Sequence, residues 1–275
     1  MIDVRVSRFL LLILLAPLAC ASVRAAELKP ATAAAFDRYI KAAEEDMDKH
    51  KGFRDFLWLD RQDPKQKSLV WLGQSTIVPL TTLDQGQEIQ VPDGQIQHWL
   101  GLAFLEKATL DKMSIILLNF NEYFHMMPLQ IMESKTTKHE GDQYEAFLRL
   151  FKKQVSAVVL NVNESAKYTQ VDPMRAVIAC RSTHIGEVER PRKKKTYDQE
   201  RPAEDAAGYL WRLNVYLRME EADNGVYVEI EMITLARQSG GILDKSRYLN
   251  GFQSFPKELV QGYIAALEYI YPRRR

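Results

Sequence analysis

The sequence predicts an α+β domain in which a curved antiparallel sheet wraps around a long C-terminal helix. Short segments between residues 95 and 237 alternate apolar and polar side chains and are separated by polar turns, which is typical of antiparallel strands. An apolar stripe then recurs at helical spacing near the C terminus, at Leu259, Tyr263, Ala266, Leu267 and Ile270. A bent sheet must cover its apolar face, and we expect this helix to cover it.

The first 25 residues have the layout of a secretory signal peptide. Arg5 and Arg8 precede an apolar run over residues 9–15, and small residues follow it. The run is too short to span a bilayer as a helix. We therefore expect an exported protein, periplasmic or secreted, with a cytosolic chain that keeps an apolar tail as the alternative.

The processing site is left open by the sequence. A cut after Ala25 and a cut after Ala21 both place small residues at the recognition positions. A lipoprotein signal acylated at Cys20 is a third reading, although Pro17 stands where such signals usually carry leucine. Either cut leaves a soluble exported protein, whereas acylation of Cys20 would anchor the chain to a membrane.

The charge and cysteine content predict neither nucleic-acid binding nor an internal disulfide. Residues 1–25 hold three arginines and one aspartate, so their removal changes the formal charge from +1 to −1, which predicts no attraction to nucleic acid. Cys180 is then the one remaining cysteine and lies in an apolar run, so we expect a buried thiol without a disulfide. About 250 residues suffice for one large domain with an added layer.

Residues 26–92 are predicted to form an N-terminal extension. An amphipathic helix over residues 32–50 begins at Thr32 as its cap, and residues 69–80 read as a strand or hairpin. Between them lies an aromatic cluster of Phe53, Phe56, Leu57 and Trp58. The turn at residues 91–94 marks the boundary with a main domain over residues 93–275.

The main domain reads as strand, helix, several strands and helix. Residues 96–105 form the first strand, a helix opens near Leu110, and the following strands are predicted at residues 129–135, 144–151, 155–163 and 174–189. Residues 190–205 are rich in basic residues and proline, which predicts a solvated loop, with peripheral contact to a membrane surface as the alternative.

A hairpin is predicted at Asn224-Gly225, the strongest two-residue turn signal. If these two residues form the loop, paired residue numbers sum to 449. One face of the hairpin is then apolar throughout. On the other face Arg218 meets Glu231, and Glu220 meets Glu229, two acids that would repel unless Arg218 is shared between them.

Several motifs carry a family resemblance. They are FDRY at 36–39, FLWLD at 56–60, DGQIQHWLG at 93–101, LRLFKK at 148–153, LWRLN at 210–214, Tyr216, Arg218 and GVYVE at 225–229. On these motifs the chain resembles a group of exported bacterial proteins of the START-like superfamily (SRPBCC, polyketide cyclase and lipid-transfer proteins). The resemblance implies a helix-grip fold with an apolar ligand, such as a lipid, sterol or polyketide, between the sheet and the C-terminal helix. Residues 238–253 depart from the group's Gly-Leu-Gly-Trp-like stretch, which leaves the ligand's identity open.

The strongest candidate site residues are Arg218, Glu229 and Glu231, with Arg212 and Asn214 on the same face. If this face lines the cavity, burial raises the pKa values of the carboxylates while Arg218 lowers them. The group could then orient a polar ligand head or act as an acid/base pair. The alternative is a cross-strand ion pair on a solvent-facing surface, which contributes little.

His98, Trp99 and Tyr227 are further ligand-binding candidates, with purely structural roles as their alternatives. The sequence holds no phosphate-binding glycine loop, no paired Cys-x-x-Cys, no His-Glu-x-x-His and no nucleophile elbow. The five histidines lie in different segments without ligand spacing, so we expect neither a metal nor a cofactor.

Three functional hypotheses remain. The favoured one is a non-enzymatic carrier or sensor that binds a hydrophobic small molecule in the periplasm, because a covered apolar cavity binds such molecules without catalysis. The second is a cyclase- or aromatase-like enzyme that uses Arg218 and a glutamate. The third is a cell-envelope protein whose N-terminal helix and aromatic cluster dock on a partner. The oligomeric state is left open.

Overall fold

The computed structural model of the chain describes residues 27–52, 55–153, 157–189, 199–238 and 252–273. The predicted signal peptide with Cys20, the aromatic Phe53, most of the basic loop and most of the 238–253 segment lie outside them. Within the described ranges, no helix has the length and apolar character needed to cross a membrane. The same ranges contain no cluster of three or more side chains suited to hold a metal ion.

The structure contains five helices and ten strands in the ranges above. The helices are α1 Pro30–Lys49, α2 Pro64–Trp71, α3 Leu110–Leu118, α4 Tyr123–Met126 and α5 Phe255–Ile270. The strands are β1 Thr76–Pro79, β2 Leu83–Asp84, β3 Gln87–Glu88, β4 Gly94–Glu106, β5 Ile131–Glu140, β6 Gln143–Lys152, β7 Val158–Asp172, β8 Arg175–Glu187, β9 Arg212–Ala222 and β10 Gly225–Arg237. A 3-10 turn, Trp58–Arg61, joins α1 to α2.

The main sheet has eight strands in the order β1-β4-β10-β9-β8-β7-β6-β5, and each neighbouring pair is antiparallel. Register shifts interrupt the β5–β6 and β7–β8 pairs, and such bulges bend strands. With α5 packed on the sheet, the predicted helix-grip class is confirmed. The predicted extension contributes β1 to the edge of this sheet, next to β4.

Successive side chains of a strand point to opposite faces of the sheet, and different helices pack against each face. We call the face that carries Val228, Ile230 and Met232 the inner face, and it packs against α3, α4 and α5 in the main core. The face that carries Tyr227 and Ile233 is the outer face, and the N-terminal layer of α1, the 3-10 turn and α2 covers it.

Close approach of α5 to the inner face depends on a glycine. Gly101 of β4 lies directly beneath Val260 and Ile264 of α5. A Cβ atom at this position would lie 2.4 Å from Val260 Cγ1, which no packed side chain tolerates. The absence of a side chain at Gly101 therefore fixes α5 against β4 and its neighbour β10.

The register of the β9–β10 hairpin differs from the predicted one by two residues. Asp223 and Asn224, at φ 54° and 60°, form the two-residue loop, and Gly225 pairs with Ala222 as the first strand pair. Paired numbers therefore sum to 447 rather than 449. The shift preserves both faces but changes the partners.

With the observed register, Arg218 pairs with Glu229, and Glu231 pairs with Tyr216. Glu220 pairs with Tyr227. The predicted repulsion between Glu220 and Glu229 does not occur, because Glu229 lies opposite Arg218 instead.

Two local predictions in the extension were wrong. Residues 69–71 belong to α2 and not to a strand, because Pro64 at its first position and the Asp63 side chain, which accepts from the Lys65 amide at 2.9 Å, start a helix there. Thr32 lies inside α1, which begins at Pro30, and its hydroxyl donates to the Pro92 carbonyl at 2.7 Å.

Candidate functional site

Four of the predicted site residues line one pocket of about 570 Å³: His98, Arg218, Glu229 and Glu231. The pocket lies between the outer face and the N-terminal layer, with α1 and residues 80–85 as its other walls. The expectation that these groups line the space beneath the C-terminal helix was wrong, since they lie on the opposite face of the sheet. All four are buried, so they are also not a solvent-facing ion pair.

Glu229 holds the start of the 3-10 turn. Its Oε2 accepts from the Trp58 amide at 2.9 Å and its Oε1 from the Leu59 amide at 3.0 Å. Amides in the first turn of a helix have no partner within it and carry a partial positive charge. Burial raises the pKa of Glu229 to about 7, although the two amides and Arg218 act to lower it.

Arg218 holds the end of α1. Its guanidinium donates to the carbonyl of His50 at 2.7 Å, to that of Met47 at 3.3 Å and to that of Phe56. Carbonyls at a helix C terminus lack intrahelical partners and carry a partial negative charge. Burial lowers the pKa of Arg218, and Glu229 opposes that shift. The Arg218 Nε is buried and has no hydrogen-bond partner among the described residues.

Arg218 and Glu229 together act as a clamp on the N-terminal layer, and we call them the outer clamp. The base meets the negative end of one helix and the acid meets the positive end of the next. Arg175 extends the arrangement, since it donates to Glu220 at 2.9 Å. The ring of Phe56 contacts both arginines, with 4.4 Å to Arg218 Cζ and 5.6 Å to Arg175 Cζ.

Glu231 is part of a hydrogen-bonded chain that reaches α1. The Thr82 amide donates to the Tyr39 hydroxyl at 2.9 Å, that hydroxyl lies 3.0 Å from His98 Nδ1, and His98 Nε2 lies 2.6 Å from Glu231 Oε1. A tyrosine hydroxyl has one proton, which it can donate to Nδ1. In a neutral ring the proton then lies on Nε2 and points to Glu231, so these two contacts orient the ring and favour that tautomer.

Two other predicted residues lie outside this pocket on the same face. Asn214 donates to the Tyr216 hydroxyl at 3.1 Å, and Tyr216 donates to Glu44 of α1 at 2.5 Å. Arg212 donates to the Trp211 carbonyl at 3.0 Å and lines a separate cavity of about 440 Å³. Asn214 therefore contributes to docking of α1, and a ligand-binding role for either residue stays a prediction.

The two predicted aromatic residues are on different faces. Tyr227 donates to Asp223 at 2.8 Å, lies under the Lys67 ammonium at 4.9 Å and lines a second outer cavity of about 560 Å³. Trp99 lies on the inner face, with Lys257 of α5 at 5.1 Å from its ring. The structure therefore does not bring these aromatics together with Arg218.

The inner face contains a titratable residue that sequence reasoning missed. Glu164 of β7 is 4% exposed, and no residue in the described ranges is hydrogen-bonded to its carboxyl group. Burial raises its pKa to about 7. Residues of α4, α5 and β8 are its electrostatic neighbours, and burial raises the pKa of each: Tyr123, Tyr263 and Cys180.

Small side chains surround Glu164 on the inner face. Ala146 lies directly opposite it on β6, and Ala166, two residues further along β7, pairs with Cys180 on β8. Most other inward positions of these strands carry leucine, valine or isoleucine. The pattern Leu-x-Val-x-Glu-x-Ala over residues 160–166 already places the acid among inward apolar residues, and this was the available sequence signal.

No protein-family model matches the chain, and a search of curated proteins finds no significant match. Among solved structures, the chain is similar to a STAR-related lipid transfer protein from Xanthomonas axonopodis, with 14% identity, a TM-score of 0.45, and coverage of 67% of this chain and 96% of that chain. It is also similar to the Zhui aromatase/cyclase from a Streptomyces species (13%, 0.46, 66% and 96%) and to human STARD10 (10%, 0.41, 71% and 70%). With TM-scores below 0.5, these similarities assign neither a ligand nor an activity to this chain.

Proposed function

We propose that this chain, which has a START-like helix-grip fold, binds and transfers a hydrophobic small molecule between the inner face and α5. The observation that carries the proposal is the group of small side chains around Glu164, beneath Tyr123 and Tyr263. Ala146, Ala166 and the apolar residues beyond them provide a mostly apolar wall with one carboxyl group and two tyrosine hydroxyls, which is the usual composition of a small-molecule site. Because helices cover this region, entry requires them to separate from the sheet.

The enzymatic alternative has less support. A cyclase-like reaction through Arg218 and Glu229 requires both groups to contact the substrate, but the backbone groups of the N-terminal layer already occupy them. The pair also lies on the face of the sheet opposite α5. We therefore keep the non-enzymatic carrier as the proposal.

The envelope-docking alternative also has less support. Its docking surface was the apolar side of the N-terminal helix and the aromatic cluster. In the structure, Phe36 and Ile40 of α1 pack on Ile233 and Leu235 of β10, and Phe56 packs on the same sheet. These apolar groups cover the chain's own outer face and are not available to another protein.

Retention of a ligand tests the proposal directly. The protein is purified from its own host without detergent and its mass is measured under native and denaturing conditions. We expect an additional small-molecule mass that denaturation releases. Ala146→Leu places a larger side chain directly opposite Glu164 and should abolish this mass, whereas the exposed Ala34→Leu should retain it.

Thermal unfolding of both variants shows that they are folded. Equal retention by wild type and Ala146→Leu would place the ligand elsewhere. A wild-type protein that carries no ligand, and that also binds no apolar fluorescent probe, would remove the proposed function.

We propose that the protein acts after export. The arrangement of residues 1–25, with Arg5 and Arg8 before an apolar run, supports this proposal. The intact mass of protein recovered from its host distinguishes the three processing sites, because a chain that begins at Cys20 carries acyl groups and one cut after Ala21 or Ala25 does not. A full-length chain in the cytosol would contradict export.

A further inference from the structure

We propose that Glu164 binds the polar end of the ligand and selects molecules that present a hydroxyl or amine hydrogen. This inference rests on the proposed function and names its ligand class: an apolar alcohol or amine. Burial of a carboxyl group without a hydrogen bond costs several kcal/mol, so a group of this kind in a folded protein needs an explanation.

The other buried glutamates show that Glu164 is an exception. In the described part of the chain, the buried glutamates are Glu164, Glu187, Glu220, Glu229 and Glu231. Glu187 accepts from three backbone amides, Glu220 from Arg175, Glu229 from two amides, and Glu231 contacts His98. The fold supplies partners for every one of them except Glu164, which leaves its oxygens available to a bound molecule.

The surroundings of Glu164 define the ligand. A carboxylate accepts hydrogen bonds and donates none, so its partner must be a donor. The Tyr123 hydroxyl cannot serve, because it donates its one proton to the Leu117 carbonyl at 2.5 Å. The Tyr263 hydroxyl is hydrogen-bonded to that of Tyr123. Apart from these two hydroxyls and the Cys180 thiol, the wall is apolar and matches a hydrocarbon body. A ligand carboxylate or phosphate would place two negative charges together in a dry site, which excludes lipid heads of that kind.

The test compares two ligands that differ in one hydrogen-bond donor, because the ether carries a methyl group in place of the hydroxyl hydrogen. Displacement of the fluorescent probe N-phenyl-1-naphthylamine by 1-decanol and by decyl methyl ether is measured at pH 8.5, where Glu164 is ionised. The titratable groups that face it, Tyr123, Tyr263 and Cys180, stay neutral there, because burial raises their pKa values. We expect the alcohol to bind about 10-fold or more tightly than the ether, as expected for a hydrogen bond to a charged group.

Variants assign that preference to Glu164. Glu164→Leu should bind both ligands equally, and Glu164→Gln should keep part of the preference, because its amide oxygen still accepts. Glu145→Gln is the matched control, an exposed acid on the neighbouring strand β6, and should behave as wild type. If Glu164→Leu does not fold, Glu164→Gln with decylamine replaces it. Decylamine is an ammonium ion at pH 8.5, so the loss of the carboxylate charge should remove most of the preference for the amine over the ether.

The outcomes separate the two proposals. Equal binding of alcohol and ether by wild type overturns the role of Glu164 and leaves the apolar carrier intact. A preference that survives in both Glu164 variants also overturns it. If wild type binds neither the probe nor either ligand, and retains no molecule from its host, the proposed function itself fails.

Discussion

Each face of the sheet carries a buried glutamate, and the two glutamates differ in their hydrogen bonding. Glu229 on the outer face and Glu164 on the inner face are both buried, and burial raises the pKa of each to about 7. Glu229 binds two backbone amides of the N-terminal layer, whereas Glu164 has no partner in the described residues. Burial and a shifted pKa therefore do not by themselves mark a binding group. What distinguishes the two acids is whether the fold already satisfies them.

The outer clamp should give the largest effect on stability. Arg218→Ala leaves the carbonyls of Met47, His50 and Phe56 without their donor and removes the positive charge nearest Glu229, so we expect a loss of about 3–5 kcal/mol in the free energy of unfolding. Urea denaturation measures it. Arg212→Ala, on the same strand but only half buried, should cost less than about 1 kcal/mol. If both variants lose the same free energy of unfolding, Arg218 does not hold the N-terminal layer on the sheet.

Glu164→Gln should have a smaller effect with a distinct pH dependence. The pKa of Glu164 rises from 4.5 to about 7 on folding, so below about pH 4.5 both states are protonated and the residue has no effect. Between pH 4.5 and 7 the unfolded chain loses its proton first, and the free energy of unfolding falls as pH rises. Replacement by glutamine removes this loss, which amounts to up to about 3 kcal/mol above pH 7.

Denaturation of wild type and variant at pH 4 and pH 8.5 checks this sign. We expect equal stability at pH 4 and a more stable Glu164→Gln variant at pH 8.5, while Glu145→Gln should match wild type at both. The slope that Glu229 contributes is present in all three proteins and cancels. A glutamine variant that is less stable at pH 8.5 would show that the carboxylate has a partner after all.

The smallest effect should come from the chain of hydrogen bonds to Glu231. Tyr39→Phe removes the hydroxyl between Thr82 and His98, which costs about 1 kcal/mol and frees the imidazole to change tautomer. Nitrogen chemical shifts of His98 report the tautomer, and we expect a single Nε2-protonated form only in wild type. Tyr269→Phe, at an 87% exposed position, is the control and should change neither quantity. An unchanged His98 tautomer in Tyr39→Phe would contradict the assigned network.

Much of the fold was predictable because strand and helix periods are local properties. Alternation located β4 to β10, and the spacing of Leu259, Tyr263 and Ala266 located α5. The hairpin loop was predicted one residue late, since Asn-Gly and Asp-Asn both suit the left-handed conformation and only the pairing with β4 and β8 decides between them. Because the error was an even number of residues, the two faces were still predicted correctly.

The site was less predictable than the fold. Arg218, Glu229, Glu231 and His98 were chosen for their shared face, and the structure does bring them together. The partners of that face were not predictable, because they come from the N-terminal layer, more than 160 residues away along the chain. Alternation patterns show which side chains share a face, but they carry no information on what covers it.

The sequence by itself determined the α+β class, the antiparallel strands, the C-terminal helix and the set of charged residues on one face, since each follows from local spacing. Only the tertiary structure decided that the N-terminal layer covers the charged face and that α5 covers the other one. It also decided that Glu229 is hydrogen-bonded, whereas Glu164 has no hydrogen-bond partner among the described residues. The reason is physical: burial and hydrogen bonding depend on the elements that pack against a residue, and here these come from distant parts of the chain.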